Sequence, residues 1–201
     1  MSKLNVGILN VGGGNVLSVV NAIEKKYCRF TELLDARIPS NIDVLLLPGV
    51  GSPQRTSAAL GTKNAADVWS FLNSGKKIIG ICLGMQMLFE RTYETDPPSV
   101  GMSLFEGTTE RLTSRPFHIG WNNVKFIDER FKKYDGEHFY FNHGYRVHPK
   151  DDDSIAGLSY ASGNELIPSV ITRGSIFGFQ FHPEKSQIAG KALLNEIILD
   201  F

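Results

Sequence analysis

Three side chains stand out in this 201-residue sequence for the chemistry they could perform together: Cys82, His182 and Glu184. Cys82 lies in Gly80-Ile81-Cys82-Leu83-Gly84, where the apolar run Lys77–Ile81 gives way to a stretch of helical character over 83–90. This is the spacing of a nucleophile elbow with cysteine as the nucleophile. Such a turn is tight and strained, so side chains on either flanking glycine would clash. It places the sulfur at a helix N-terminus, where the dipole favours a thiolate. The N–H of Leu83 then points where an oxyanion would form. By itself the pentapeptide fits a buried cysteine at a glycine-flanked strand end equally well. A thiol nucleophile also needs a base, and His182 has the best context of the five histidines. It follows the strand-like run 176–181, and Pro183 after it stiffens the backbone. Glu184 is spaced to bond the far side of the imidazole, fixing its tautomer and supporting the imidazolium. A lone His-x-Glu pair is common, but the elbow and the His-Pro-Glu together describe a triad.

The elements that must hold these residues alternate in the first half of the chain. Val6-Gly7-Ile8-Leu9 reads as a buried strand, followed by a Gly12-Gly13-Gly14-Asn15 turn. Val16, Val19, Val20, Ile23 and Tyr27 recur at helical spacing, which predicts a helix over 15–27. A strand over 43–47 ends at Pro48-Gly49, and a helix is expected over 56–73 with Val68, Trp69 and Leu72 among its apolar positions. Strand, helix, strand, helix in this order predicts an α/β fold with a mostly parallel sheet covered on both faces. The second half reads as short strands at 121–126, 138–141, 154–160, 169–172 and 176–181, with loops at 93–100 and 150–153, and the last 15 residues read as a closing helix. No repeat or low-complexity linker divides the chain, so one domain over 1–201 is expected.

Composition removes several alternatives. Lys plus Arg and Asp plus Glu both number 21, which gives no electrostatic reason to expect nucleic acid or an anionic membrane as partner. The two cysteines make no disulfide framework and no zinc spacing, and no metal or cofactor is expected. No apolar run approaches a membrane span and no signal-peptide core opens the chain, so a reducing cytoplasm is the expected compartment.

The motifs resemble the class I (triad) glutamine amidotransferases, in Gly80-Ile-Cys-Leu-Gly-Met-Gln86 and Phe181-His-Pro-Glu184. Further segments are similar to one branch, the glutaminase subunits of imidazole glycerol phosphate synthase: Leu47-Pro48-Gly49-Val50-Gly51, His118-Ile119-Gly120-Trp121-Asn122, Phe139-Tyr140-Phe141-Asn142-His143-Gly144-Tyr145 and His182-Pro183-Glu184-Lys185-Ser186-Gln187. The resemblance implies a flavodoxin-like three-layer sandwich. It implies that Cys82 attacks the carboxamide of L-glutamine, with His182 as base and acid and Glu184 orienting it. It implies an oxyanion hole from Leu83 and the Gly49-Val50 segment, and a glutamine pocket of Gln86, Glu94, His143, Gly144 and Tyr145. The implied partner is a (β/α)8-barrel cyclase making imidazole glycerol phosphate and AICAR in histidine biosynthesis. Trp121, Asn122 and Lys185 are the implied docking residues. A flip of the Gly49 peptide would let the oxyanion hole form only when that partner signals.

The sequence departs from the family at motif edges. Asn10-Val11 replaces the usual Asp-Tyr before the glycine-rich turn, which lacks the Lys-Ser/Thr of a phosphate-binding loop. Gly144 stands where serine is usual, and Phe117 separates Pro116 from His118. These differences keep open a paralogous glutaminase that supplies ammonia for amidination of a surface-polysaccharide sugar. Other readings are a glutaminase feeding pyridoxal phosphate synthesis, a non-catalytic regulatory subunit, and a cysteine hydrolase on the same fold.

Overall fold

The computed structural model describes residues 3–10, 16–35, 37–49 and 51–199, with the side chains at 61–67 outside that description. The Gly12–Asn15 turn and Val50 therefore lie outside the described residues. Among the described residues the central sheet has eight strands. In chain order they are β1 (Leu4–Leu9), β2 (Cys28–Leu33), β3 (Val44–Leu47), β4 (Lys77–Ile81), β9 (Lys125–Phe126), β12 (Ile155–Ala161), β13 (Glu165–Arg173) and β14 (Ile176–Phe179). Across the sheet the order is β2-β1-β3-β4-β14-β13-β12-β9. The first five are mutually parallel, and the last three run antiparallel to their neighbours. The parallel strands β3 and β14 are buried at every residue. This is expected of a sheet covered on both faces.

Two apolar layers flank the sheet. One gathers Val6, Val44, Leu46, Ile79, Phe177 and Phe179 with the closing helix α4 (Gln187–Leu199) and with α1 (Val16–Ala22). The other gathers Leu45, Leu47 and Ile78 with α2 (Pro53–Asn73) and the elbow helix α3 (Leu83–Gln86). This is the expected three-layer sandwich. Two smaller sheets stand beside it. β8 (His118–Asn123) pairs with β10 (His138–His143), and β11 (Tyr145–Pro149), β7 (Gly107–Arg111), β5 (Arg91–Thr92) and β6 (Ser99–Val100) form the other.

Several elements differ from expectation for identifiable reasons. The first helix stops at Ala22 rather than residue 27 because Asn195 of α4 takes its end groups, donating to Ala22 O and accepting from Glu24 N–H. The second begins at Pro53 rather than residue 56, since proline is well placed in a first helical turn, where its missing N–H would have no partner. Within it Trp69 is half exposed and Phe71 takes the buried position. The elbow helix is one turn instead of two. The carbonyls of Met87, Leu88 and Phe89, which would continue it, accept from Met102, Leu104 and Ser103 instead.

Candidate active site

The register of the parallel strands builds the site. Leu47 of β3 pairs with Gly80 of β4, and Ile81 pairs with Phe179 of β14. The ends of three strands therefore bring together Gly49, Cys82 and the segment leading to His182. Cys82 adopts φ 49° and ψ −107°. That is a left-handed conformation costing a β-carbon-bearing residue about 1–3 kcal/mol. The flanking glycines permit the elbow. A Cβ on Gly80 would sit 2.7 Å from the Gly84 carbonyl, and one on Gly84 would sit 2.1 Å from Leu47 O. The turn is locked by the Cys82 N–H donating to Phe179 O at 2.6 Å.

His182 is anchored by its own N–H on Tyr140 O, and its Nδ1 lies 2.8 Å from Glu184 Oε1 with both side chains buried. Nδ1–H thus donates to the carboxylate, which turns Nε2 toward the thiol side. Nε2 is buried and has no aligned hydrogen bond among the described residues. Burial pulls the His182 pKa down, but negative charge on the adjoining Cys82 sulfur and the Glu184 carboxylate outweighs it and raises it to about 10. Sulfur and ring share one buried corner without an aligned bond between them, as is common before substrate binds. A Cβ on Gly49 would lie 2.8 Å from both Cys82 Cβ and His182 Cε1. Gly49 therefore packs directly against both nucleophile and base. Its backbone is not left-handed here, so glycine is required for space, and the positive φ of the segment falls on Gly51. Leu83, as the first residue of α3, keeps an N–H with no intrahelical partner.

A buried acid-stabilised imidazole facing a thiol on a strained elbow is the apparatus of thiol acyl transfer. The family profile described as "Glutamine amidotransferase class-I" matches residues 16–200. The chain belongs to the class-I glutamine amidotransferases. Among curated relatives, the imidazole glycerol phosphate synthase subunit HisH of Methanopyrus kandleri is 39% identical over 199 residues, 97% of this chain and 98% of the relative. That of Thermotoga maritima is 34% identical over 201 residues, 97% and 96% respectively. Among solved structures, PurLQS of Thermotoga maritima matches with a TM-score of 0.77 at 20% identity and covers 98% of each chain. At that identity it speaks for the fold alone.

The other expected residues of this amidotransferase divide into groups. Gln86, His143 and Tyr145 are brought together: Gln86 Nε2 donates to Tyr145 O at 3.3 Å, and His143 Nδ1 lies 2.8 Å from the same carbonyl. Gly144 lies between, its carbonyl accepting from Leu112 N–H. Glu94 stands apart on the loop after β5, exposed, with no hydrogen bond to this group among the described residues. Trp121 is half exposed on β8, edge-on to Tyr140 at 5.9 Å. It borders a hollow of about 550 Å³ with His138, Ser186 and Ile188, beside the turn that carries Lys185. The Lys185 ammonium forms no ion pair among the described residues. Asn122 instead directs its amide inward, to Tyr160 O and His118 Nε2.

Sequence reasoning did not assign His118 or Gln180. His118 Nδ1 lies 3.2 Å from His143 Nε2. The tautomers follow from the ends of the chain. Tyr145 O can only accept, so His143 carries its proton on Nδ1 and accepts at Nε2 from His118 Nδ1–H; His118 Nε2 then accepts from Asn122. Burial and the charge of His118 lower the His143 pKa to about 3, and burial lowers that of His118, so both rings are neutral at neutral pH. Among the described residues no cluster of three metal-ligating side chains occurs and no helix is long and apolar enough to cross a membrane.

Proposed function

We propose that this chain is a cytoplasmic, one-domain glutaminase subunit of imidazole glycerol phosphate synthase. Cys82 Sγ attacks the carboxamide carbon of L-glutamine as a thiolate, its proton already held on the His182 imidazole, whose pKa is raised to about 10. The tetrahedral oxyanion is held by Leu83 N–H and the Gly49-Val50 segment. Collapse breaks the C–N bond, His182 returns the proton to the departing ammonia, and a γ-glutamyl thioester remains. Water, deprotonated by His182, then releases glutamate. Gln86, His143, Gly144 and Tyr145 line the glutamine pocket, with Glu94 as the exposed carboxylate available to the substrate's α-ammonium group.

The observation that carries this reading is the buried 2.8 Å His182–Glu184 pair beside a thiol on a left-handed elbow. The names and full-length similarity of the relatives support the subunit assignment. In this reading a (β/α)8-barrel cyclase docks over Trp121 and Lys185, forming a heterodimer. It uses the ammonia to make imidazole glycerol phosphate and AICAR in histidine biosynthesis. The test is glutamate release by the chain alone and with its co-purifying partner. The expected result is slow release alone, at least tenfold faster release with partner and acceptor, and none from Cys82→Ala. Undiminished release from Cys82→Ala would remove the triad. A partner that amidinates a sugar would keep the triad and replace the pathway.

A further inference from the structure

The triad leaves a fourth polar side chain at the elbow unexplained. Gln180 is 0% exposed, set between Phe179 and Phe181. A carboxamide buried in this way is costly unless its groups are paired. Its backbone N–H is already bonded to Ser169 O at 2.9 Å, so that donor does not compete for the side-chain oxygen. Nε2 lies 3.8 Å from Cys82 Sγ, while Oε1 has no partner among the described residues. The juxtaposition follows from the register. Ile81 pairs with Phe179, so Cys82 and Gln180 come level as the next residues of adjacent parallel strands. Gln180 alternates onto the face where Gly178 packs against Met85 of the elbow helix.

The elbow has a use for such a donor. Its helix is a single turn, so the dipole at Cys82 is weaker than the sequence pattern suggests. The sulfur also faces the Asn142 carbonyl at 3.9 Å, which disfavours negative charge on it. An N–H aimed at sulfur from the other strand offsets both.

We propose that Gln180 is a positioning residue of the glutaminase, donating its amide N–H to the Cys82 sulfur, holding it in place and favouring its anionic form. This rests on Cys82 being the nucleophile. The test is alkylation of Cys82 by iodoacetamide across the pH range in the full chain, read by peptide mass spectrometry, for the wild type, Gln180→Leu and Gln180→Met. The buried Cys28 serves as an internal gauge of loosening. Removing the donor should move the midpoint of the Cys82 rate–pH curve upward by roughly one unit and slow alkylation at neutral pH about tenfold. Cys28 should stay unreactive, and glutamine turnover should lose kcat with little change in KM. An unmoved midpoint in either variant overturns the proposal. So does a lowered one, which would mean that the amide is turned and its oxygen accepts from the thiol. A wild-type chain alkylated at Cys82 with full glutaminase activity would overturn the triad instead.

Discussion

A single hydrogen atom in place of a methyl group at residue 49 sets the spacing of the chemistry, since the missing carbon would press on both Cys82 Cβ and His182 Cε1. Gly49→Ala must spread nucleophile and base. Misplacement approaching 1 Å costs on the order of a hundredfold in rate. Steady-state kinetics should show kcat lower by about that factor with a much smaller change in KM, and an unchanged kcat would show that the pair tolerates the extra carbon. Residues of this kind are legible in a sequence because geometry restricts their type: Gly80, Gly84 and Cys82 form a pattern, and Pro183 and Glu184 complete another. Gln180 and His118 are not. A lone polar residue in an apolar strand looks the same whatever it touches, and the partner of Gln180 lies 98 residues away.

Two departures from the family turn out to be one feature of the β8–β10 pair and its approach. A Cβ on Gly144 would meet Pro116 O at 2.8 Å and the Phe117 ring at 3.3–3.4 Å. The Pro116 carbonyl, with the Phe117 ring behind it, occupies the space that a side chain at 144 would need. Gly144→Ser should therefore raise KM for glutamine several-fold and cost about 1–3 kcal/mol in stability. Phe117→Gly should relieve part of the ring contact and restore some of both; thermal melting and kinetics of the double variant check this, and strict additivity would separate the two positions. At this scale the alternating parallel strands were legible, because strands buried on both faces are continuous apolar runs. β2 was not: it borders the sheet and its Cys-Arg-Phe-Thr-Glu-Leu sequence buries only the two ends. Nor was β7, whose Gly-Thr-Thr-Glu-Arg gives no apolar period. The length of the elbow helix depended on backbone donors from residues 102–104, which no local pattern reveals.

For the molecule as a whole, the paired imidazoles tie folding to pH. An unfolded chain protonates His143 as pH falls through about 6.5, whereas the folded chain resists until about 3. Between those values the unfolded state binds the extra proton. The stability from a neutral His143 is complete above the upper value and declines as pH falls, by up to about 1.4 kcal/mol per pH unit. Urea midpoints for His143→Gln should fall less steeply in acid than those of the wild type; equal slopes would place the acid sensitivity elsewhere.

Trp121 gives the fold an optical consequence. Its indole meets the ring of Tyr140, whose carbonyl holds the His182 N–H, so a fluorophore stands one residue from the catalytic base. The other tryptophan, Trp69, is on α2, in the opposite layer. With Trp69 replaced by phenylalanine, emission would come from the proposed docking face alone. Desolvation of that indole would shift the spectrum to the blue, and the arrival of a partner could be timed in the same cuvette that follows glutamate.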